Sequence, residues 1–279
     1  MPRLLLLLLL LLAVASLVRL RGERQGKSRA SWLPKDWGDA LRQIALFALA
    51  DVCYETVRGV AENNTALAFA NARSIVDFEK GLGLFFEPGF QSWAMGHRLL
   101  IDIANFAYVN SHFVVTTCVL VWLYLRHNDR FYFVRNMFMV AMVLALVGYM
   151  TMPTAPPRFF PELGIVDTIA YYADVHHDSA FVNLFFNPYA AVPSMHVAFA
   201  LMLGVSCMLL VRRRVFKLLW ALYPAFVASV VIVTGNHWWF DGFVGACVAL
   251  VSALVSAFVL ARLRPAAWSW RPGAAQATA

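Results

Sequence analysis

Seven stretches of the chain are long and apolar enough to cross a bilayer, at about 4–20, 41–60, 100–125, 133–152, 195–211, 215–234 and 239–262. A spanning helix needs about 20 such residues, so the pattern predicts an all-α, polytopic transmembrane bundle. Its six-helix core would occupy residues 41–262, behind an N-terminal hydrophobic anchor and basic linker in residues 1–40, with 263–279 as a disordered tail. Between the runs the pattern changes. Ala66 to Phe78 has apolar residues at helical spacing, and Gly81, Gly83, Pro88 and Gly89 then interrupt it, which predicts an interfacial segment over 61–99. The connection 153–193 carries Pro153, Pro156, Pro157, Pro161, Pro188 and Pro193 together with Glu162, Asp167, Asp174 and Asp178. Such a segment suits neither a helix nor lipid and is expected to form a cap outside the hydrocarbon. No internal repeat is present.

Composition changes this picture little. With 61% hydrophobic and 14% charged residues, the chain lacks the polar surface of a soluble domain. The formal charge of +7 is gathered in short segments between apolar runs, which marks cytoplasmic loops and excludes nucleic acid as a partner. Those segments hold Arg126, Arg130 and Arg135; Arg212, Arg213, Arg214 and Lys217; and Arg262, Arg264 and Arg271. Tracing back through two helices puts residues 21–40 in the cytoplasm as well, where Arg21, Arg24, Lys27, Arg29 and Lys35 agree with that side. The agreement favours an uncleaved anchor with its N-terminus outside over a signal peptide cleaved after Ala13–Ser16. On this topology the protein is expected in the plasma (cell) membrane, with 61–99, 153–193 and the turn 235–240 extracytoplasmic. Cys53, Cys118, Cys207 and Cys247 lie in apolar stretches without CxxC spacing and are expected to be small core residues.

Three polar clusters are therefore predicted on one face: Ala155-Pro156-Pro157-Arg158-Phe159, Pro193-Ser194-Met195-His196, and Thr234-Gly235-Asn236-His237-Trp238-Trp239-Phe240-Asp241. His237 and Asp241 stand four apart at a helix start, so their side chains share a face. A carboxylate holding one imidazole nitrogen leaves the other free as nucleophile or base. The segment from Pro193 also opens a helix, with proline suited to its first turn and amides able to attract phosphate. Arg158, the only Lys or Arg between Arg135 and Arg212, can bind a phosphate ester through two parallel hydrogen bonds. A salt bridge to Glu162 or Asp167 fits the same arginine.

Pro-Ser-x-His followed by His-x-x-x-Asp resembles the type 2 phosphatidic acid phosphatase superfamily. More closely, Ala155-Pro-Pro-Arg158, Ala191-Val-Pro-Ser-Met-His196 and Thr234-Gly-Asn-His237-x-x-x-Asp241 resemble its inositol phosphorylceramide synthase branch, over about residues 40–262. The resemblance implies a metal-independent lipid phosphatase or phosphotransferase without a cofactor, acting on a lipid phosphate. By the same resemblance His237 forms a phosphohistidine, Asp241 orients it, His196 protonates the leaving oxygen and then activates the acceptor, and Arg158 and Ser194 hold phosphate oxygens.

One position departs from the wider pattern. The superfamily places arginine six residues before the nucleophilic histidine, where this chain has Val231. Arg58 and Arg98 border the predicted outer face and are the alternatives for that second clamp, or are residues that snorkel to headgroups. Tyr108, Asn110 and His112 fall within the helix 100–125 and either line a substrate pocket or bond between helices. Trp238 and Trp239 are expected as interfacial anchors. Two other classes of function compete: a transporter or channel using the same polar groups, and a zinc hydrolase with His196, His237 and Asp241 as ligands. Nothing in the sequence sets the oligomeric state.

Overall fold

The computed structural model describes residues 37–61, 64–173 and 189–260, without the side chains of 54–61, 111–112 and 129. The anchor, most of the basic linker and the tail lie outside the described residues, as do Arg262, Arg264 and Arg271. The described chain is almost wholly helical, with no named strand among its elements: α1 (Trp37–Ala61), α2 (Thr65–Gly81), α3 (Glu87–Met95), α4 (Arg98–Phe106), α5 (His112–Arg126), α6 (Asn128–Thr151), α7 (Thr168–Ala173), α8 (Met195–Leu210), α9 (Arg214–Val233) and α10 (Trp239–Leu254). Among the described residues three segments are long and apolar enough to cross a membrane, Arg130–Thr151, Arg214–Val233 and Trp239–Leu260, and the bent pair Arg98–Asn110 with Phe113–Arg126 makes up to four. The chain is thus an integral membrane protein by its apolar helices.

The expected helix 100–125 is in fact broken. A π turn at Ala107–Ser111 separates α4 from α5, and the two halves meet at 53°. The Asn110 amide donates to the Phe106 carbonyl at 3.0 Å, which diverts a backbone acceptor from the ladder at the break.

Close helix packing depends on small residues, as expected where lipid tails compete with side chains for apolar contact. A Cβ on Gly204 of α8 would lie 2.8 Å from both Pro224 Cγ and the Trp220 carbonyl of α9. A Cβ on Gly245 of α10 would collide with the carbonyl of Ser194. The start of α8 and the first turns of α10 therefore touch backbone to backbone.

At the other end of the bundle α1 is tied to α6. The Asp39 carboxylate accepts from Tyr132 at 2.6 Å, Tyr124 at 3.1 Å and Gln43 at 2.9 Å, while Arg135 donates to Gln43 and Asn136. Arg135 is buried in this network rather than standing in a basic loop. Two other expectations fail. Only Cys207 is buried; Cys53, Cys118 and Cys247 are exposed, because an apolar helix in lipid presents small apolar side chains outward as readily as inward. Trp238 is fully buried and donates to the Ala155 carbonyl at 3.1 Å, so it pins the cap instead of anchoring at an interface.

Over the site end, α2, the 153–173 connection and Trp238 form one apolar cluster that includes Ala68, Ala72, Ile75, Phe160 and Ile165. This cluster holds the cap against the helices that carry the polar residues.

Candidate active site

The turn between α9 and α10 is built by its own backbone. Gly235 takes a positive φ of 71°, its N–H donates to Ile232 O at 2.9 Å, and Asn236 N donates to Val231 O at 3.0 Å. This is the paired closure that a left-handed residue allows at a helix C-terminus. Its outer side is tight: a Cβ on Gly235 would sit 3.0 Å from Val166 O and 3.2 Å from the Gln91 amide. Gln91 of α3 donates to Val166 O at 2.8 Å and Val233 O at 2.9 Å and accepts from Val166 N at 2.8 Å, locking the cap to the turn.

The turn delivers His237 to the start of α10. Its Nδ1 lies 3.2 Å from Asp241 Oδ2, and the same oxygen accepts the Trp238 amide at 2.9 Å. An ionised carboxylate only accepts, so this contact puts the proton on Nδ1 and leaves a lone pair on Nε2. Both residues are buried, and Asp241 Oδ1 has no hydrogen-bond partner.

His196, in the first turn of α8, brings its ring to 5.7 Å from that of His237, centroid to centroid, at 61°. Tyr108 stacks on His196 at 4.6 Å and 22°. The π turn that breaks the α4–α5 span thus supplies the surface against which His196 rests. Ser194 is the residue before α8, so Pro193 precedes the cap rather than occupying the first turn as expected. The Ser194 amide donates to the Asp241 carbonyl at 3.0 Å, and its hydroxyl is wholly buried without a partner.

Arg158 closes the third side. Its amide donates to Gly235 O at 2.8 Å, and its guanidinium donates to Asn236 Oδ1 and lies 3.7 Å from Asp167. Burial works against the guanidinium charge and pulls its pKa down. Both sequence readings of this arginine keep a foothold, since the Asp167 ion pair exists and the Arg158 Nε lacks a hydrogen bond. Asn236, part of the sequence motif but given no role there, is oriented by Thr234 through bonds of 3.2 and 2.9 Å and so steers Arg158.

The hydrogen bonds of Arg98 to Asp102 and of Asn110 to Phe106 lie outside this group. Arg98 is exposed and donates to Asp102 at 3.0 and 3.2 Å, on the surface and away from any buried clamp. The Asn110 amide bonds to the Phe106 carbonyl of its own chain segment at 3.0 Å. The side chains of Arg58 and His112 lie outside the described residues. For the zinc reading, no group of three or more His, Cys, Asp or Glu side chains is placed to hold a metal ion among the described residues.

Two residues that sequence reasoning passed over lie against the site. Glu79 and Glu87 are buried, and they accept the amides of Phe240 at 3.2 Å and Trp239 at 3.1 Å. Their only signal was that they are two of the four acidic residues, with Glu62 and Asp77, in the segment expected to be interfacial.

Comparison with curated proteins and comparison with solved structures each return no match. Comparison with known families matches the PAP2 superfamily over residues 73–255, a span that takes in Glu79, Tyr108, Arg158, Ser194, His196, His237 and Asp241. Covering well over half of the chain, that match identifies it as a member of the PAP2 superfamily.

Proposed function

We propose that this chain is a metal-independent lipid phosphotransferase or phosphatase that works through a phosphohistidine on His237, at the extracytoplasmic face of the plasma membrane. The observation that carries this reading is a histidine tied through Nδ1 to a buried carboxylate, with the ring of a second imidazole 5.7 Å away. His237 Nε2 attacks phosphorus, the bond to the leaving oxygen breaks, and protonated His196 gives that oxygen its proton. An acceptor hydroxyl then passes its proton to His196, attacks phosphorus and breaks the P–N bond, restoring both rings. The Arg158 guanidinium and the Ser194 hydroxyl donate to the non-bridging oxygens, where charge develops. Asp241 steadies the imidazolium character of His237 throughout.

Charge supports a narrower substrate. Among the described residues Arg158 is the only buried Lys or Arg at this end, and it already faces Asp167, while Glu79, Glu87 and Asp241 stand around the nucleophile. Such a site matches a singly charged phosphodiester better than a doubly charged monoester. We infer transfer of a diester headgroup such as phosphoinositol from one lipid to another, with the donor entering laterally from the bilayer. The corresponding topology has six spans, α1, the α4–α5 pair, α6, α8, α9 and α10, so that the connections at Arg126–Asn128 and Leu210–Arg214 lie on the face opposite the site.

The test is turnover by purified protein with a chelator present, offered phosphatidylinositol with a lipid acceptor, phosphatidic acid or an isoprenoid phosphate, with products read by mass spectrometry. The diester is expected to be consumed and acid-labile phosphate to be trapped on the chain. Turnover that survives in His237→Ala removes the mechanism; preference for the monoesters removes the narrower substrate.

A further inference from the structure

We propose that Glu79 and Glu87 are positioning residues: a buried carboxyl pair that shares one proton and clamps the first turn of α10, holding His237 and Asp241 in place for phosphoryl transfer. This rests on reading His237 as the nucleophile.

The geometry comes first. Glu79 comes from α2 and Glu87 from α3, yet their Oε1 atoms take the N–H groups of successive residues, Phe240 and Trp239. These are amides that a helix start leaves without an internal partner. With Asp241 Oδ2 on the Trp238 amide, three successive amides behind His237 are held by carboxylates. The helix start at α10 is thereby closed to phosphate, which leaves Arg158, Ser194 and the start of α8 to receive it. The two remaining carboxyl oxygens, Glu79 Oε2 and Glu87 Oε2, are buried and find no donor elsewhere. The Glu79 and Glu87 carboxyls interact through charge and a side-chain hydrogen bond. Two ionised carboxylates so placed would repel in an apolar setting, whereas one proton between them gives a donor to one and an acceptor to the other.

The surroundings agree. Phe85, Phe160 and Trp238 present apolar rings on this side of the cap, and Lys80 turns to the Phe85 ring at 5.1 Å. The titratable group facing the pair from α10 is Asp241, which carries His237 behind it. Burial, then the Glu87 charge and hydrogen bond, push Glu79 from its ordinary 4.5 up to about 9. The folded chain therefore keeps a proton that the unfolded chain releases near pH 4.5. The stability this contributes is complete below that pH and is lost progressively as pH rises to about 9. Above about 9 the folded pair itself deprotonates, two charges oppose each other under α10, and the nucleophile loses its support.

The experiment compares wild type, Glu79→Gln and Glu79→Ala in detergent, by phosphatidylinositol turnover and by thermal midpoint, each from pH 5 to 10. Glutamine can accept from Phe240 N and donate to Glu87 without titrating, so it should restore turnover to within about tenfold of wild type. Alanine should lose about a hundredfold, the scale of a misplaced reacting group. The wild-type turnover should fall near pH 9 and that fall should vanish in Glu79→Gln; the wild-type midpoint should decline toward pH 9 and that slope should flatten. Glu79→Gln as impaired as Glu79→Ala, or an alkaline fall and slope unchanged in Glu79→Gln, overturns the proposal. If wild type turns over none of phosphatidylinositol, phosphatidic acid and an isoprenoid phosphate while the slope still flattens, the proton-sharing clamp stands and the reading of the site as an enzyme fails, taking the positioning role with it.

Discussion

Each end of the bundle buries one arginine among carboxylates and amides, and the two ends treat their polar atoms differently. At the α1–α6 end, Asp39 receives three donors, and Arg135 donates through Nε and both terminal nitrogens to Gln43 and Asn136. At the other end, among the described residues, Arg158 Nε, Ser194 Oγ, Asp241 Oδ1 and Trp239 Nε1 are buried without hydrogen-bond partners, while Glu79 Oε2 and Glu87 Oε2 have no donor beyond the proton proposed between them; Ser256 Oγ, also without a partner, belongs to neither network. A saturated polar network locks helices, because any other arrangement strands a partner in a medium that offers no replacement. Polar atoms left open in a buried cluster call for a separate cause, and a ligand that completes them is one. On the proposed function, the contrast separates an arginine that locks helices from one that binds substrate.

Substitutions should divide along the same line. The largest effect is expected for His237→Ala, with a fall in turnover of about 10⁴-fold or more, as for loss of a covalent nucleophile, and a thermal midpoint close to wild type. Turnover and midpoint measured on one preparation decide it; a collapsed midpoint would mean that the site end is also a lock. Next is Arg158→Lys. A compact ammonium cannot hold Asn236 and two phosphate oxygens together, so kcat/KM is expected to drop by about a hundredfold. Activity kept in Arg158→Lys would assign the arginine to the Asp167 ion pair alone. Ser194→Ala should be milder, at about tenfold in kcat, since it removes one neutral donor. A gain in stability alongside that loss would sharpen the comparison, because the hydroxyl lies buried without a partner in the absence of substrate.

How much of this could be read beforehand differed between backbone and side chains. Apolar runs placed α1, α6, α8, α9 and α10 closely, since lipid demands long uninterrupted helices. The same rule hid the break at Ala107–Ser111, where Asn110 satisfies a carbonyl locally and the hydropathy barely changes. His237 and Asp241 were legible because i, i+4 spacing on a helix is a local fact. His196 and Arg158 were legible through motif order, although their common site depends on long-range contacts such as Arg158 N to Gly235 O at 2.8 Å. Glu79, Glu87 and Asn236 were not. Their partners lie 161, 152 and 78 positions away, and no local pattern reports an amide that distant.

The smallest effect belongs to the opposite end and tests the comparison most strictly. Tyr132→Phe removes the shortest of the three bonds to Asp39, 2.6 Å against 3.1 Å from Tyr124 and 2.9 Å from Gln43. The carboxylate keeps two donors, so the loss should be that of a single bond to a charged group, about 2 kcal/mol. Tyr124→Phe, with the longer bond, should lose less. Both variants should lower the thermal midpoint while leaving kcat and KM within about twofold of wild type, since α1 and α6 are loosened far from His237. Should Tyr132→Phe instead depress kcat at an unchanged midpoint, the saturated network would be transmitting to the site, and hydrogen-bond saturation would no longer separate lock from catalyst in this fold.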